Sequence, residues 1–508
     1  MEENIAIIDL GSNSVRIIVM RTNLNSSYKM IEQIKEMVRL SEGMQKNNLL
    51  IEEAMNRTIA ALKQFKTIIK SHNVSHIIAL ATAAVRNADN GNEFLTRIHE
   101  ETGFNFDVIT GEKEAYLDYL GVINTIDIGD CIIIDTGGGS TELVLVKNRI
   151  IQHSISIPYG AVTLTEKFLE KENDSKSVIT RTEDYIKDIY DSIVWLKEAG
   201  NMPVVGLGGS IRTLAKVHKK NYGLINQPIH NYIMTSGDIN LIYNQIAGTK
   251  SNERKNIAGL NKERADIIMG GLIPLKVLME YTDSNKLLIS GNGLREGAFY
   301  KYYFNKYKLS EEIVNNVLQH SVDNILLKYD VNIQHSYLIQ KLSLDLFHQL
   351  KELHQLDEDA IKLLKISSLL HDIGLHVDYY NHHHHGFYLA LNSRINGLTY
   401  KELIICAFII GMHRNEDFKQ DLSEYRDVIT SDDFDLIQKL SIFIRISEEL
   451  CKIQNGNIIE LKCKATKNNV KIIPISKFLS KIDLSPTLQC EKTFRKLFGR
   501  SLILENRK

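Results

Sequence analysis

The sequence predicts an α/β chain of two units with a cleft between them, followed by a mainly helical part. Three observations predict it. Apolar strand-like runs alternate with helical periodicity from residue 5 to about residue 305. The string IIDLGSNSVRIIVM at residues 7–20 returns as IIDTGGGSTELVLV at residues 133–146, with Ile7/Ile133, Ile8/Ile134, Asp9/Asp135, Gly11/Gly137 and Ser14/Ser140 identical. After about residue 310 helical patterns take over to roughly residue 455, and histidines concentrate there.

The elements follow in order. Ile5 to Ile8 and Val15 to Met20 are strand-like runs on either side of a Gly-Ser-Asn-Ser turn. Glu52 to Ser71 places Ala54, Ile59, Leu62, Phe65 and Ile69 at helical spacing, the pattern of an amphipathic helix. Ile77 to Ala81 reads as a short buried strand leading into ATAAVRNADN, and Gly111 to Val122 as a helix. The second hairpin opens the second unit. MPVVGLGGSIRTLAKV (202–217) and KLLISGNGLREGAFYKYY (286–303) each read as strand, glycine turn, helix. Near the end, ELKCKATKNNVKIIPI predicts a β-hairpin over 458–475, with Asn468-Asn469 at its turn.

The paired loops carry the chemistry. Two hairpins with Gly/Ser/Asn turns account for the glycines, but not for an acid ending the first strand of both. A turn built from glycines, hydroxyls and an amide exposes several backbone N–H groups and lets the backbone approach a ligand closely. That concavity suits phosphate oxygens, and the neighbouring carboxylate suits a hard divalent cation.

Composition sets the frame. The chain has 508 residues, enough for about three domains, and its 44% hydrophobic and 24% charged residues are those of an ordinary globular protein. A net charge of -1 names no partner. Cysteines 131, 406, 451, 463 and 490 are odd in number, scattered and without a Cys-x-x-Cys pair, which fits a reducing compartment. No signal peptide and no apolar run of membrane length are recognisable, so the cytoplasm is expected and a membrane is not. Residues 459–508 carry twelve Lys/Arg against four Asp/Glu, a local excess suited to a polyanion if the substrate is one.

The two loops, in their order and spacing, resemble the actin-like ATPase superfamily. Within it, DLGSNSVR, TAAVRNADN, GEKEAYLDYLGV, DTGGGSTEL, GLGGSIRTLA, ERADIIMGG and SGNGLREG resemble the exopolyphosphatase / guanosine pentaphosphate phosphohydrolase family over about residues 1–305. The resemblance implies two actin-like (ribonuclease H-like) domains, 1–128 and 129–305, and a helical domain over 310–508. It implies a hydrolase that removes terminal phosphates from inorganic polyphosphate or, alternatively, from guanosine pentaphosphate. Mg2+ or Mn2+ as cofactor and a homodimer that binds no nucleic acid are expected with it. Asp135 and Glu142 then stand as metal ligands, with Asp9 in the symmetric place. Ser12, Asn13, Gly138, Gly139, Ser140, Gly208 and Gly209 would bind phosphate, as would the fixed cation Arg86; Arg16 is the residue type the family carries on its strand. Glu112 and Glu114 are both candidates for the base that activates water, being two apart and so on different faces of a helix. The family's catalytic Glu precedes the Ala of this motif, which selects Glu114. A sugar kinase would need a bound acceptor and an adenosine pocket, and the strings around the loops argue against it. A non-catalytic sensing module would have no need of Glu114.

The helical part carries LLHDIG, with His371 and Asp372 adjacent, and His335, His382 to His385 and His413 around it. Adjacent His-Asp with distant histidines resembles an HD-phosphohydrolase domain, which aligns His335 with the first ligand and His413 with a later one. It implies a second metal site on His335, His371, Asp372 and His413. The resemblance ends at the final ligand, an Asp in that fold, where this chain has ISEELC with Glu448 and Cys451.

Overall fold

The structure, a computed structural model, describes residues 2–44, 47–169, 175–224, 226–309, 312–414, 418, 422–452, 458–477 and 489–505. It forms two compact units, Met1–Val317 and Leu318–Lys508. No helix among the described residues is long and apolar enough to cross a membrane.

The first unit is built on two sheets of related design. In one, β1 (Glu3–Leu10), β2 (Ser14–Thr22) and β3 (Tyr28–Met37) are antiparallel, while β4 (His76–Ala81) and β5 (Asp107–Val108) continue parallel to β1, in the order β3-β2-β1-β4-β5. In the other, β6 (Cys131–Thr136), β7 (Thr141–Lys147) and β8 (Ile150–Ile157) repeat the antiparallel triple. There β9 (Val204–Gly208) and β11 (Lys286–Ile289) run parallel to β6, and β10 (Tyr232–Thr235) closes the edge antiparallel to β11. The antiparallel third strands were not expected from the sequence: YKMIEQIKEM of β3 is only partly buried, so its apolar signal is weak.

Both sheets are covered on both faces, which is why their central strands read as unbroken apolar runs. Alternate residues of β1 go to different cores: Ile5 and Ile7 to one, Ala6 and Ile8 to the other. Ile133 of β6 joins Ile5 and Ile7, whereas Ile132 and Ile134 face the outer helices of their own sheet. The core shared by the two sheets is filled by the helices Gly111–Ile123 and Leu294–Lys306. These helices cross at backbone contact. A Cβ on Gly297 would sit 1.8 Å from the Leu117 carbonyl oxygen, and one on Gly121 would sit 2.4 Å from that of Gly293. The last helix of the second α/β stretch therefore packs against the first sheet as well as its own, with Tyr28 ringed by Phe299, Tyr300 and Tyr303.

The second unit is a helical core with a small sheet. The helices Ile333–Gln349, Asp359–Leu370, His382–Asn392, Tyr400–Met412 and Ser431–Lys452 pack around one apolar cluster. The terminal sheet is larger than the expected hairpin: β12 (Ile458–Ala465) and β13 (Asn469–Ser476) are joined by β14 (Ser501–Leu504), parallel to β13. Phe494 of the helix Glu491–Phe498 is fully buried, and Phe498 stacks on Phe443. The described part of the basic tail thus contributes Phe494 and Leu502 to the core. Arg500 donates to the Thr466 carbonyl at 2.9 Å and Arg495 pairs with Glu491 at 3.2 Å, while Lys492 and Lys496 stay exposed.

Candidate active site in the first unit

The two loops repeat in space as they do in sequence. Gly11 N–H donates to the Ser14 carbonyl at 3.2 Å, and Gly137 N–H to the Ser140 carbonyl at 3.0 Å. The loops face each other at van der Waals distance. A Cβ on Gly138 would lie 2.8 Å from Cβ of Ser12, and one on Gly139 would lie 2.7 Å from its hydroxyl. Between them opens a cavity lined by Asp9, Ser12, Asn13, Arg16, Glu114, Asp135, Gly138, Gly139, Ser140, Gly208, Gly209, Arg212 and Arg264. Of the residues expected at the site, Arg86 and Glu142 do not line this cavity but touch residues that do or stand beside them.

Arg86 reaches Glu114. Its Nη1 donates to Glu114 Oε2 at 3.1 Å and to the Ile109 carbonyl at 2.8 Å. Glu114 sits in the first turn of the helix Gly111–Ile123, whose Thr110 cap accepts from the Lys113 N–H. Glu112, two residues earlier, is exposed. Burial and then the Glu142 charge push the Glu114 carboxyl well above the usual range, against the pull of Arg86. Glu142 stands directly across the ladder from Asp135. It is buried, accepts from the Ser156 hydroxyl at 2.8 Å, and is pushed up to about 7 by burial and by Asp135. Asp9 stands across from Arg16 in the same way. Burial raises both Asp9 and Asp135, against nearby guanidiniums.

Carboxylates gathered in this manner repel one another and favour a cation among them. Asp135 Oδ1 is buried without a hydrogen-bond partner, as are Asn13 Nδ2 and Thr136 Oγ1. Orphaned polar atoms of this kind at a cavity wall fit a divalent cation and phosphate oxygens. Gly208 shows how tightly the wall is drawn: at φ +90 it holds a left-handed conformation, and a Cβ there would meet Asp135 Oδ1 at 2.8 Å.

Reading the sequence missed the cationic side of the cavity. Arg212 donates from Nε to the Gly208 carbonyl at 3.2 Å, and Arg264 lies where a side chain on Gly209 would be. Arg264 is held at about 10 by burial and Arg212, and Arg16 at about 9 by burial, Arg295 and Arg212. Lys35, across the ladder from Arg16, is held at about 8 by burial and by Arg264 and Arg16. The only available signal was an Arg inside each of two glycine-containing strings already singled out. Asp118 was also missed. It lies one turn beyond Glu114, is buried, and neither of its oxygens has a hydrogen-bond partner.

In the second unit His335, His371, Asp372 and His413 are brought together, and His382 and Glu448 join them. Cys451 is buried but outside the group.

Comparison with known proteins matches the Ppx/GppA phosphatase family over residues 17–305 and domain III of Ppx/GppA phosphatases over residues 317–487. A bifunctional 3-dehydroquinate synthase/phosphatase of Fusobacterium nucleatum is 32% identical over 59% of the chain. The chain spans 47% of that relative's length. A guanosine-5'-triphosphate,3'-diphosphate pyrophosphatase of Pseudoalteromonas atlantica is 28% identical over 85% of this chain and 84% of its own. Among solved structures, an Aquifex aeolicus member of the Ppx/GppA family superposes with a TM-score of 0.51 at 28% identity, over 61% of this chain and all of that one. An exopolyphosphatase from Cytophaga hutchinsonii superposes with a TM-score of 0.55 at 25% identity, over 60% of this chain and 98% of its own.

Proposed function

Because the chain belongs to the Ppx/GppA phosphatase family, we propose that its cavity hydrolyses the terminal phosphoanhydride bond of inorganic polyphosphate. The observation that carries this reading is the pairing of three guanidiniums, Arg16, Arg212 and Arg264, with carboxylates in one cavity. Guanidiniums match the oxygens of successive phosphates. Asp135, Glu142 and Asp9 are the residues that would hold Mg2+ or Mn2+, which when bound supplies charge neutralisation at the phosphate being transferred. Ser12, Asn13, Gly138, Gly139, Ser140, Gly208 and Gly209 would hold phosphate oxygens from the two loops and the glycine turn after β9.

Glu114 is the base in this reading. A water oxygen attacks the terminal phosphorus, its proton passes to the Glu114 carboxylate, and the bridging P–O bond breaks. Inorganic phosphate leaves, and the chain is one phosphate shorter. A carboxyl raised by burial is a stronger base than an exposed one, and Arg86 holds it in place. The reaction needs no nucleophile from the protein.

A second reading takes guanosine-5'-triphosphate,3'-diphosphate as substrate. It is favoured by relatives bearing that name which match 78–85% of this chain. A neighbouring cavity also favours it. That cavity shares Asn13 with the first and presents Glu42, Glu166 and Asp266 beside Val162 and Ile267, with Arg39, paired to Asp266 at 2.8 Å, also in its wall. Carboxylates accept from the ring and amino N–H groups of guanine, and the aliphatic side chains suit its face.

The deciding experiment measures phosphate release from polyphosphate and from guanosine-5'-triphosphate,3'-diphosphate side by side, with and without chelator. A higher kcat/KM on polyphosphate supports the first reading. A preference for the nucleotide that falls on Asp266→Asn supports the second. Hydrolysis of neither in the presence of Mg2+ or Mn2+ overturns both.

A further inference from the structure

We propose that Asp118, one helical turn beyond Glu114, holds water molecules of the cation bound at Asp135 and thereby tilts the site toward Mg2+ rather than Mn2+. The inference rests on the reading of Asp135 as a cation ligand and adds a residue to it.

The register of the second sheet places Asp118 there. Side chains two apart on a strand share a face. Asp135 therefore lies on the face of Ile133, and Glu142 on the face of Val144 and Val146, and these three apolar residues join the core between the two sheets. In the ladder Asp135 stands across from Glu142 on one side and from Leu207 on the other. The helix Gly111–Ile123 covers this face, with Leu117 and Leu120 in the same core as Leu207. Glu114 and Asp118 are four apart, so they project from one side of that helix. Glu114 reaches the cavity, and Asp118 stands one turn deeper, where the apolar core begins. A Cβ on Gly293 would meet Leu207 Cδ2 at 2.9 Å and Asp118 Oδ1 at 3.0 Å. Asp118 Oδ1 is thus close to the side chain that neighbours Asp135 in the ladder.

Nothing in the fold itself accounts for a carboxyl at this place. Asp118 is 1% exposed, and neither of its oxygens has a hydrogen-bond partner. A buried polar group without a partner costs stability. Its surroundings add to the cost: burial, Asp135, Glu142, Glu114 and Asp9, in that order, push the carboxyl well above its usual range. The guanidinium that feels its charge is Arg212, whose Nε is given to the Gly208 carbonyl. Leu117, Tyr119 and Leu120 around it are core residues, and an aliphatic side chain would fill the position without the penalty. A buried polar group that breaks this local rule calls for a ligand that completes its bonds. The orphaned Asp135 Oδ1 marks the side on which that ligand lies.

Asp118 is not part of the cavity wall, so it meets a cation there through water. Mg2+ loses water reluctantly, and proteins bind it through one or two carboxylates while it keeps several water molecules. Those molecules point their hydrogens away from the cation, and a carboxylate behind the ligands is the acceptor that orients them. Asp135 and Glu142 supply the ligands, and Asp118 supplies the acceptor. The cation that keeps most of its water depends most on such an acceptor, which is why Mg2+ gains more from Asp118 than Mn2+ does.

The test is a calorimetric titration of the full, metal-stripped chain with Mg2+ alone and with Mn2+ alone. Binding that disappears in Asp135→Asn belongs to the first unit, which separates it from binding by the histidine cluster. For that component, Asp118→Asn and Asp118→Leu should each weaken Mg2+ by about tenfold to hundredfold, and Mn2+ by a smaller factor. Unfolding by denaturant without any cation gives the second readout. Asp118→Leu removes the orphaned carboxyl, so its midpoint should lie at or above that of the wild type; where it does not fold, Asp118→Asn, which keeps the shape, decides by the titrations. If Asp135→Asn removes no Mg2+ binding, the reading of Asp135 fails and this inference with it. If Asp135→Asn removes it and both Asp118 variants bind Mg2+ as the wild type does, Asp118 alone is overturned. Equal losses for the two metals overturn its action through water, and a midpoint well below wild type in both variants makes Asp118 a structural member and overturns the proposal.

Discussion

The cavity of the first unit and the histidine cluster of the second both crowd buried charge, but with different donors. In the first, oxygen ligands from two hairpins face guanidiniums across a gap that a multiply charged anion can fill. In the second, four imidazoles and two carboxylates converge on each other, with one guanidinium at the rim. Oxygen donors with free cations suit a hard metal carried in with phosphate. Imidazole-rich donors suit a resident transition metal. The two donor sets thus favour different cations, and the predictions that follow probe the site of the first unit and the packing of the second.

The largest effect is expected at Glu114. Glu114→Gln keeps the shape and removes the proposed base, so kcat should fall by about two to four orders of magnitude with KM little changed. Glu112→Gln, at an exposed position, should stay near wild type. The reverse outcome in phosphate-release kinetics would move the base by two residues and break the account of the first unit.

Next comes the packing of the second unit. Phe494 is fully buried against Phe498, which stacks on Phe443. Phe494→Ala should cost about 3–5 kcal/mol, as large-to-small changes in cores do, measured by denaturant unfolding of that unit's transition. A loss under about 1 kcal/mol would mean that the tail is only a solvated basic surface, as its composition alone allows.

Arg264 sharpens the contrast from the substrate side. Removing one charged hydrogen-bond donor from a buried site costs about 1.5–3 kcal/mol. Arg264→Ala should therefore raise KM for polyphosphate by about tenfold or more and leave a smaller effect on kcat. A fall in kcat alone would place Arg264 on the transition state rather than on the bound chain.

How far the molecule could be read from its sequence follows from which contacts are local. Asp9, Asp135 and the loop residues were legible because each hairpin places acid, glycine and hydroxyl within a few residues, and repeats the arrangement. Glu114 was legible only through the resemblance, since helical spacing alone left Glu112 in play. Arg212 and Arg264 were not legible as site residues. They reach the cavity through tertiary packing, Arg264 by occupying the space that Gly209 leaves. β14 was missed because it joins β13 in parallel across a long connection, which no hairpin pattern announces. His382 and Glu448 needed the fold, because Glu448 meets His335 across 113 residues and His382 meets His413 across 31, separations that leave no periodic trace.

The smallest expected effect concerns Arg86, and it separates two roles that sequence and fold both allow. Arg86 binds Glu114 at 3.1 Å and lowers a carboxyl that burial, Glu142 and Asp9 all raise. A base works only when deprotonated, so the rate on the acid side rises with pH through the Glu114 titration. Arg86→Gln removes the charge but keeps an amide that can still hydrogen-bond. With the opposing cation gone, the Glu114 carboxyl should rise further, and the acid limb of kcat should move to higher pH. On the alkaline side of that limb the variant should recover most of its turnover, because the base is again ionised. If Arg86 instead serves only to hold phosphate, KM will rise while the limb of kcat stays in place. A pH profile of kcat and of KM for the two proteins, at fixed salt and saturating Mg2+, distinguishes a cation that tunes the base from one that grips the substrate.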